Sequence, residues 1–248
     1  MNLPTNPSNL PAANESGIPP LPAPPSLPPD AGLAVILDTL LKRPVQLIHE
    51  LCETKSARCW VLLALVAVPA FALYGLVIGS FSGGPQFGAA ALKVSAGALI
   101  SALICFPSLY IFASLTGAEV SFRGLAGVLF AMLTLTGLLL LGFAPVAWVF
   151  SQSTESVPFI GTLHLIFWFI ASAFGLRLLG YMTHALRVPD RVHLKVWTAI
   201  FVLVSLQMTT ALRPIIGKSD HWLPKEKKFF IAHWLDNLSG EPTAGRKD

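Results

Sequence analysis

Five long apolar blocks separated by short polar breaks dominate the chain. They are "CWVLLALVAVPAFALYGLVIG" at 59–79, "VSAGALISALICFPSLYIFASL" at 94–115, "GLAGVLFAMLTLTGLLLLGFAPVAWVF" at 124–150, "PFIGTLHLIFWFIASAFGLRLLG" at 158–180, and a fifth at 196–216. Each reaches the roughly 20 residues that a helix needs to cross a hydrocarbon core. None contains Asp or Glu. The runs lack the two-residue alternation of barrel strands, and backbone groups in lipid must bond internally, so they predict helices. The expected fold is all-α: an integral membrane helical bundle of about five transmembrane helices, forming a domain over 58–217.

The flanks are built differently. Ten of the twenty prolines fall within residues 1–30, as in "IPPLPAPPSLPPD". Proline lacks an amide donor and has a fixed φ, so this head favours extended polyproline II and cannot build a core. It reads as a disordered spacer; no Lys or Arg precedes Lys42 to anchor its PxxP steps. It has neither a basic start nor an apolar h-region, so the first apolar block is expected to act as an uncleaved anchor.

Residues 31–57 form an amphipathic juxtamembrane segment. Leu33, Ile36, Leu37, Leu40 and Leu41 recur at helical spacing, Pro44 interrupts, and Leu47, Ile48 and Leu51 resume. Neither half is long enough to span, which predicts two helices lying on the membrane surface. The tail, 218–248, holds "KKFFIAHWLDNL", an expected interfacial helix at 227–238.

Within the blocks, Pro69, Pro107 and Pro145 each remove one helical hydrogen bond and predict kinks. Gly137, Gly142, Ala171 and Gly175 are small enough for close helix contacts. Trp60, Trp148 and Trp197 fall at block ends, where an aromatic belt is expected. Trp168 falls mid-block and is expected between helices.

Charge sets the orientation. With the N-terminus inside, the inner segments hold Lys42, Arg43, Lys55, Arg58, Arg123, Arg187, Arg191 and Lys195, whereas the outer loops hold Lys93 and the uncharged-to-acidic "SQSTES". That predicts a cytoplasmic N-terminus in a cell membrane. Five crossings then put the tail outside, against its Lys218, Lys225, Lys227 and Lys228. A re-entrant 94–115 would return the tail inside.

Composition agrees with lipid as the solvent: 54% of the 248 residues are hydrophobic and 12% charged, about half the charged share of a soluble domain. A net charge of +4 is too mild and scattered for nucleic acid. Cys52, Cys59 and Cys105 show no paired spacing, so no disulfide framework or CxxC chemistry is implied.

Reactive motifs are absent. There is no GxSxG, HExxH or Walker loop, and no two of the six histidines stand at i,i+3 or i,i+4. No catalytic residue, cofactor or metal ligand set is expected. His164 is the buried histidine candidate, with a neighbouring backbone group as its expected partner. Arg177 is an intramembrane charge one turn from the inner end of its block, able to serve a function or to snorkel. Gln207, Thr210 and Arg213 fan across one face of the fifth block. Glu155, in the same outer leaflet, is the expected partner of Arg213 in a clamp joining the third, fourth and fifth spans.

The segments "ICFPSLYIFASLTGAEVSFRG", "LGFAPVAWVFSQSTESVPFIGTLHLIFWF" and "QMTTALRPIIG" resemble those of a group of uncharacterised bacterial multi-pass membrane proteins. More remotely, five spans after a polar, proline-rich head, with the step "SLTGAEVSFRGL", are similar to the Yip1 domain family. That resemblance implies a trafficking-type adaptor that engages protein partners, and it brings no catalytic residues. The expected function is thus a non-enzymatic membrane scaffold, surrounded by the lipid bilayer, whose head meets a membrane or cytoplasmic protein partner. The alternative is a small transporter or channel subunit for an anionic solute, using the Gln207–Arg213 face. A membrane-embedded enzyme ranks third.

Overall fold

The structure, a computed structural model, describes residues 27–28, 31–53, 58–82, 86–117, 120–185 and 192–211. Most of the proline-rich head, the interfacial helix expected at 227–238, and Arg187, Arg191 and Arg213 lie outside them. The described residues form seven α-helices: α1 (Leu33–Lys42), α2 (Pro44–Glu53), α3 (Arg58–Ser82), α4 (Gln86–Leu115), α5 (Phe122–Ser153), α6 (Val157–Ala185) and α7 (Val192–Ala211). Five of them, α3 to α7, are long and apolar enough to cross a membrane.

Local chemistry marks the ends. Ser121 caps α5, its Oγ accepting the Gly124 N–H at 3.0 Å, which satisfies one of the open donors of a helix start. Gly117, at φ +75°, closes α4 in the left-handed conformation that glycine adopts without penalty. Between α5 and α6 the chain turns in three residues, where Thr154 Oγ1 accepts the Ser156 N–H at 3.2 Å. Pro69, Pro107 and Pro145 all lie inside helices that continue past them.

α5 is the central, most enclosed helix. It packs against α3 on one side and α6 on another, α4 lies on α3, and α7 lies on α4. Two glycines let backbones meet. A Cβ at Gly75 would stand 2.6 Å from Ala91 Cα, so α3 and α4 touch without side chains between them. One at Gly175 would strike Thr136 Oγ1 and stand 2.9 Å from Met132 O, which holds α6 against α5. Gly137 is likewise close to Ala70 across α3 and α5, whereas Gly142, expected in the same role, has nothing within 4 Å and faces outward.

Four expectations change. First, α1 and α2 do more than rest on a surface. Ile36, Leu40, Leu47, Ile48 and Leu51 are at most 5% exposed, because α2 packs against α5 and α6 and α1 against α3 and α5. Gly124 and Gly127 leave space for Leu51 and Cys52 there. The two helices therefore cap one end of the bundle, called the cap end below. Their apolar stripe is covered by the other helices.

Second, the second block starts earlier than 94. α4 begins at Gln86 and takes in Lys93, which is buried in a helix and not held in a loop. The alanines and glycines before Val94 are weakly apolar, but Gly75 and Gly79 of α3 give them a flat surface to pack on. α4 is continuous over 30 residues, about 45 Å, with no break at which a re-entrant segment would turn.

Third, Trp197 is not a belt residue. It is fully buried. Its Nε1–H lies 3.0 Å from Cys105 O and 3.2 Å from Ser108 Oγ of α4, and its ring stacks on Phe201 at 5.2 Å. Trp148 does project outward, 52% exposed near the opposite end, and Trp60 stacks on Phe130. Fourth, His164 bonds to a side chain rather than to backbone, as described next.

Candidate functional site

Polar groups between the spans are few, so each has to be accounted for. Tyr74 comes from the second half of α3 and His164 from the second turn of α6. Both helices pack on α5, and these two side chains bridge them across it. Tyr74 Oη and His164 Nδ1 are 2.8 Å apart, and the rings meet edge to face at 5.5 Å. The hydroxyl donates to a bare Nδ1 or accepts from a protonated one, according to the tautomer. Both residues are buried, and His164 Nε2 has no partner among the described residues. The only sequence signal was a histidine inside an apolar run; its partner is 90 residues away.

Two further bonds tie neighbouring spans. Thr134 Oγ1 of α5 lies 2.8 Å from Leu63 O of α3 and 2.7 Å from Phe130 O of its own preceding turn, so its one proton is shared. Trp197 supplies the other, to the turn of α4 that contains Pro107. Cys105 O also accepts from Ser108 Oγ at 2.8 Å. α7 is thus fastened where the proline weakens the helix hydrogen bonding of α4.

The residues singled out from the sequence are distributed as follows. Glu155 is exposed on the short turn between α5 and α6. Gln207 is half-buried on α7. Phe112 beside His193, and Trp197 opposite Cys105 and Ser108, make α7 antiparallel to α4. That register carries Gln207 toward the first half of α4, where Lys93 lies. The side chain of Thr210 and the whole of Arg213 lie outside the described residues, so the pairing of Arg213 with Glu155 stays an expectation. Arg177 is exposed on α6, its guanidinium carbon 5.6 Å from the centre of the Phe174 ring.

All three cysteines are free. Outside the spans, burial in the cap, with the nearby Glu53 carboxylate adding to it, pushes the Cys52 thiol up to about 12, so it is protonated at neutral pH. Among the described residues no three His, Cys, Asp or Glu side chains gather where they could hold a metal ion. The arrangement offers inter-helix hydrogen bonds, the Tyr74–His164 pair among them, and a capped end. A scan of protein-family models matches none to this chain, and searches of curated proteins and of solved structures find no match.

Proposed function

We propose that the chain is a non-enzymatic scaffold or adaptor of a cell membrane, of the kind its resemblance to the Yip1 domain family implies, with the cap end and proline-rich head on the cytoplasmic side. One observation carries the reading: α1 and α2 are folded onto the bundle instead of hanging from it. The buried stripe of α2 faces α5 and α6, and its other face presents His49 and Glu53, 3.3 Å apart. The head leads into this cap, with the Leu27 N–H donating to Glu50 Oε2 at 3.3 Å. A partner held by the head or by α2 is then coupled to the membrane domain through a packed joint. The cap end also carries exposed Lys42, Arg43, Arg58, Arg123 and Lys195, the excess expected of a cytoplasmic face.

Photo-crosslinking residues placed at positions 49 and 53 in intact cells test the reading. A discrete protein adduct is expected from at least one position, and Glu53→Lys is expected to weaken it. No adduct from either, together with solute uptake by liposomes holding the purified chain, defeats the scaffold reading. The second reading, a small transporter for an anionic solute, is favoured by the buried Lys93 and His164, since ionisable groups inside spans often mark solute paths. Its mark is uptake that Lys93→Met or Arg213→Ala abolishes.

A further inference from the structure

Arg177 stands apart from the other cations of the described residues. Lys42, Arg43, Arg58, Arg123 and Lys195 are exposed at helix ends near the cap, and Lys93 is buried. Arg177 is exposed yet lies inside the candidate span Val157–Thr183. It precedes the end of α6 by eight residues, about 12 Å. A helix of 29 residues is about 43 Å long and, if centred, overhangs a core of about 30 Å by about 6 Å at each end. The Arg177 backbone then lies about 6 Å inside the hydrocarbon.

Ile166, Ile170 and Ala173 precede Arg177 in steps of four, three and four residues, and all are exposed. They form the outward stripe of α6, which faces acyl chains wherever the bundle is in a bilayer. On that stripe the guanidinium has an aromatic contact, Phe174, and no carboxylate among the described residues. Phe174 is three residues earlier, so the charged head is turned along α6 away from the nearer helix end. A guanidinium in hydrocarbon requires an anion or water, and its planar fork of N–H donors matches a phosphate. The cations around the cap end draw anionic headgroups to that leaflet.

We propose that Arg177 binds the phosphate of an anionic glycerophospholipid drawn below the headgroup plane to the depth of the guanidinium, with an acyl chain lying along Ile166, Ile170 and Phe174. The Phe174 ring centre lies 5.6 Å from the guanidinium carbon, a cation–π contact that leaves the N–H donors for the phosphate.

Native mass spectrometry of the full chain in neutral detergent, titrated with phosphatidylglycerol or phosphatidylcholine, tests this. The wild type is expected to retain one phosphatidylglycerol in preference to phosphatidylcholine. Arg177→Gln is expected to weaken that retention about tenfold, and Arg177→Lys to fall between. Arg123→Gln, at the same end, is expected to change it by less than about twofold. Equal retention by Arg177→Gln and wild type overturns the proposal. Equal loss in Arg123→Gln also overturns it, showing diffuse charge attraction. Displacement of the lipid by glycerol 3-phosphate shows a soluble-phosphate site and overturns it too. So does a change of oligomeric state in Arg177→Gln with lipid retention intact, which marks a protein contact. Because the side chain is exposed, Arg177→Gln is expected to keep the wild-type melting temperature in lipid-free detergent.

Discussion

Replacing Tyr74 by Phe deletes one oxygen atom and keeps the ring. At this position no water takes over the lost bond, because Tyr74 is 2% exposed. His164 Nδ1 then loses the partner it holds at 2.8 Å, and Nε2 already has none among the described residues. Stranding a buried polar group costs about 1–3 kcal/mol. Hydrogen bonds between spans average about 0.6 and reach about 1.7 kcal/mol, since the unfolded chain in a membrane also finds partners. The two ranges overlap near 1–2 kcal/mol, which is the expected loss for Tyr74→Phe. His164→Leu behaves differently. It also strands the Tyr74 hydroxyl, but it removes the unpartnered Nε2 together with Nδ1 and leaves an apolar side chain in their place, so its loss is expected at the low end of that range, about 1 kcal/mol. In the double variant neither polar group remains, and its loss is expected to be smaller than the sum of the two single losses by about 1 kcal/mol.

The coupling between the two sites is therefore expected to be about 1 kcal/mol. Reversible unfolding in mixed micelles, by titration with a denaturing detergent and followed by tryptophan fluorescence, measures it. If the two single losses add to within about 0.3 kcal/mol in the double variant, the residues do not share a hydrogen bond and the link from α3 to α6 is only a ring contact.

Three more expectations follow from the packing. Gly175→Ala pushes a methyl against Thr136 and the Met132 carbonyl of α5 and is expected to cost about 1–3 kcal/mol, while Gly142→Ala, with open space around it, is neutral or gains up to about 1 kcal/mol in helix propensity; equal effects in the same unfolding assay contradict the α5–α6 contact. Cys52, its thiol pushed up to about 12 from the ordinary 9.0, has a thiolate fraction at pH 8 roughly a thousandfold below that of a free thiol, so iodoacetamide is expected to label it slowly in the folded protein and readily after denaturation. Because the folded thiol is the harder one to ionise, its contribution to stability is full below pH 9 and declines between pH 9 and about 12. Glu155→Ala and Arg213→Ala are each expected to lower melting temperature in detergent non-additively; simple additivity excludes their pairing as a clamp.

The helices were legible in the sequence because an acid-free apolar run of spanning length, read as a membrane segment, has to close its own backbone bonds. What each helix faces was not legible, and the tryptophans show why. Trp148 and Trp197 both stand near block ends in similar company, yet one projects outward and the other is sealed against α4. The difference is the register of α7 on α4, set by Phe112, Cys105 and Ser108, some 80 to 90 positions away in the chain. The same holds for α1 and α2. An amphipathic stripe states how much apolar surface must be covered, but lipid and protein cover it equally well by composition. Gly124 and Gly127 decide for protein, because the gaps they leave accept Leu51 and Cys52 at backbone distance. Lys93 extends the point to charge: a lysine among alanines reads as a loop until two glycines on α3 make a helix there worth packing. The sites that sequence could nominate were those where chemistry contradicts the solvent, as with Arg177 and His164. The partner of His164 comes from tertiary register, whereas the aromatic neighbour of Arg177 lies one turn back on its own helix, so a span's polar residue is better treated as a question about its neighbours than as a site in itself.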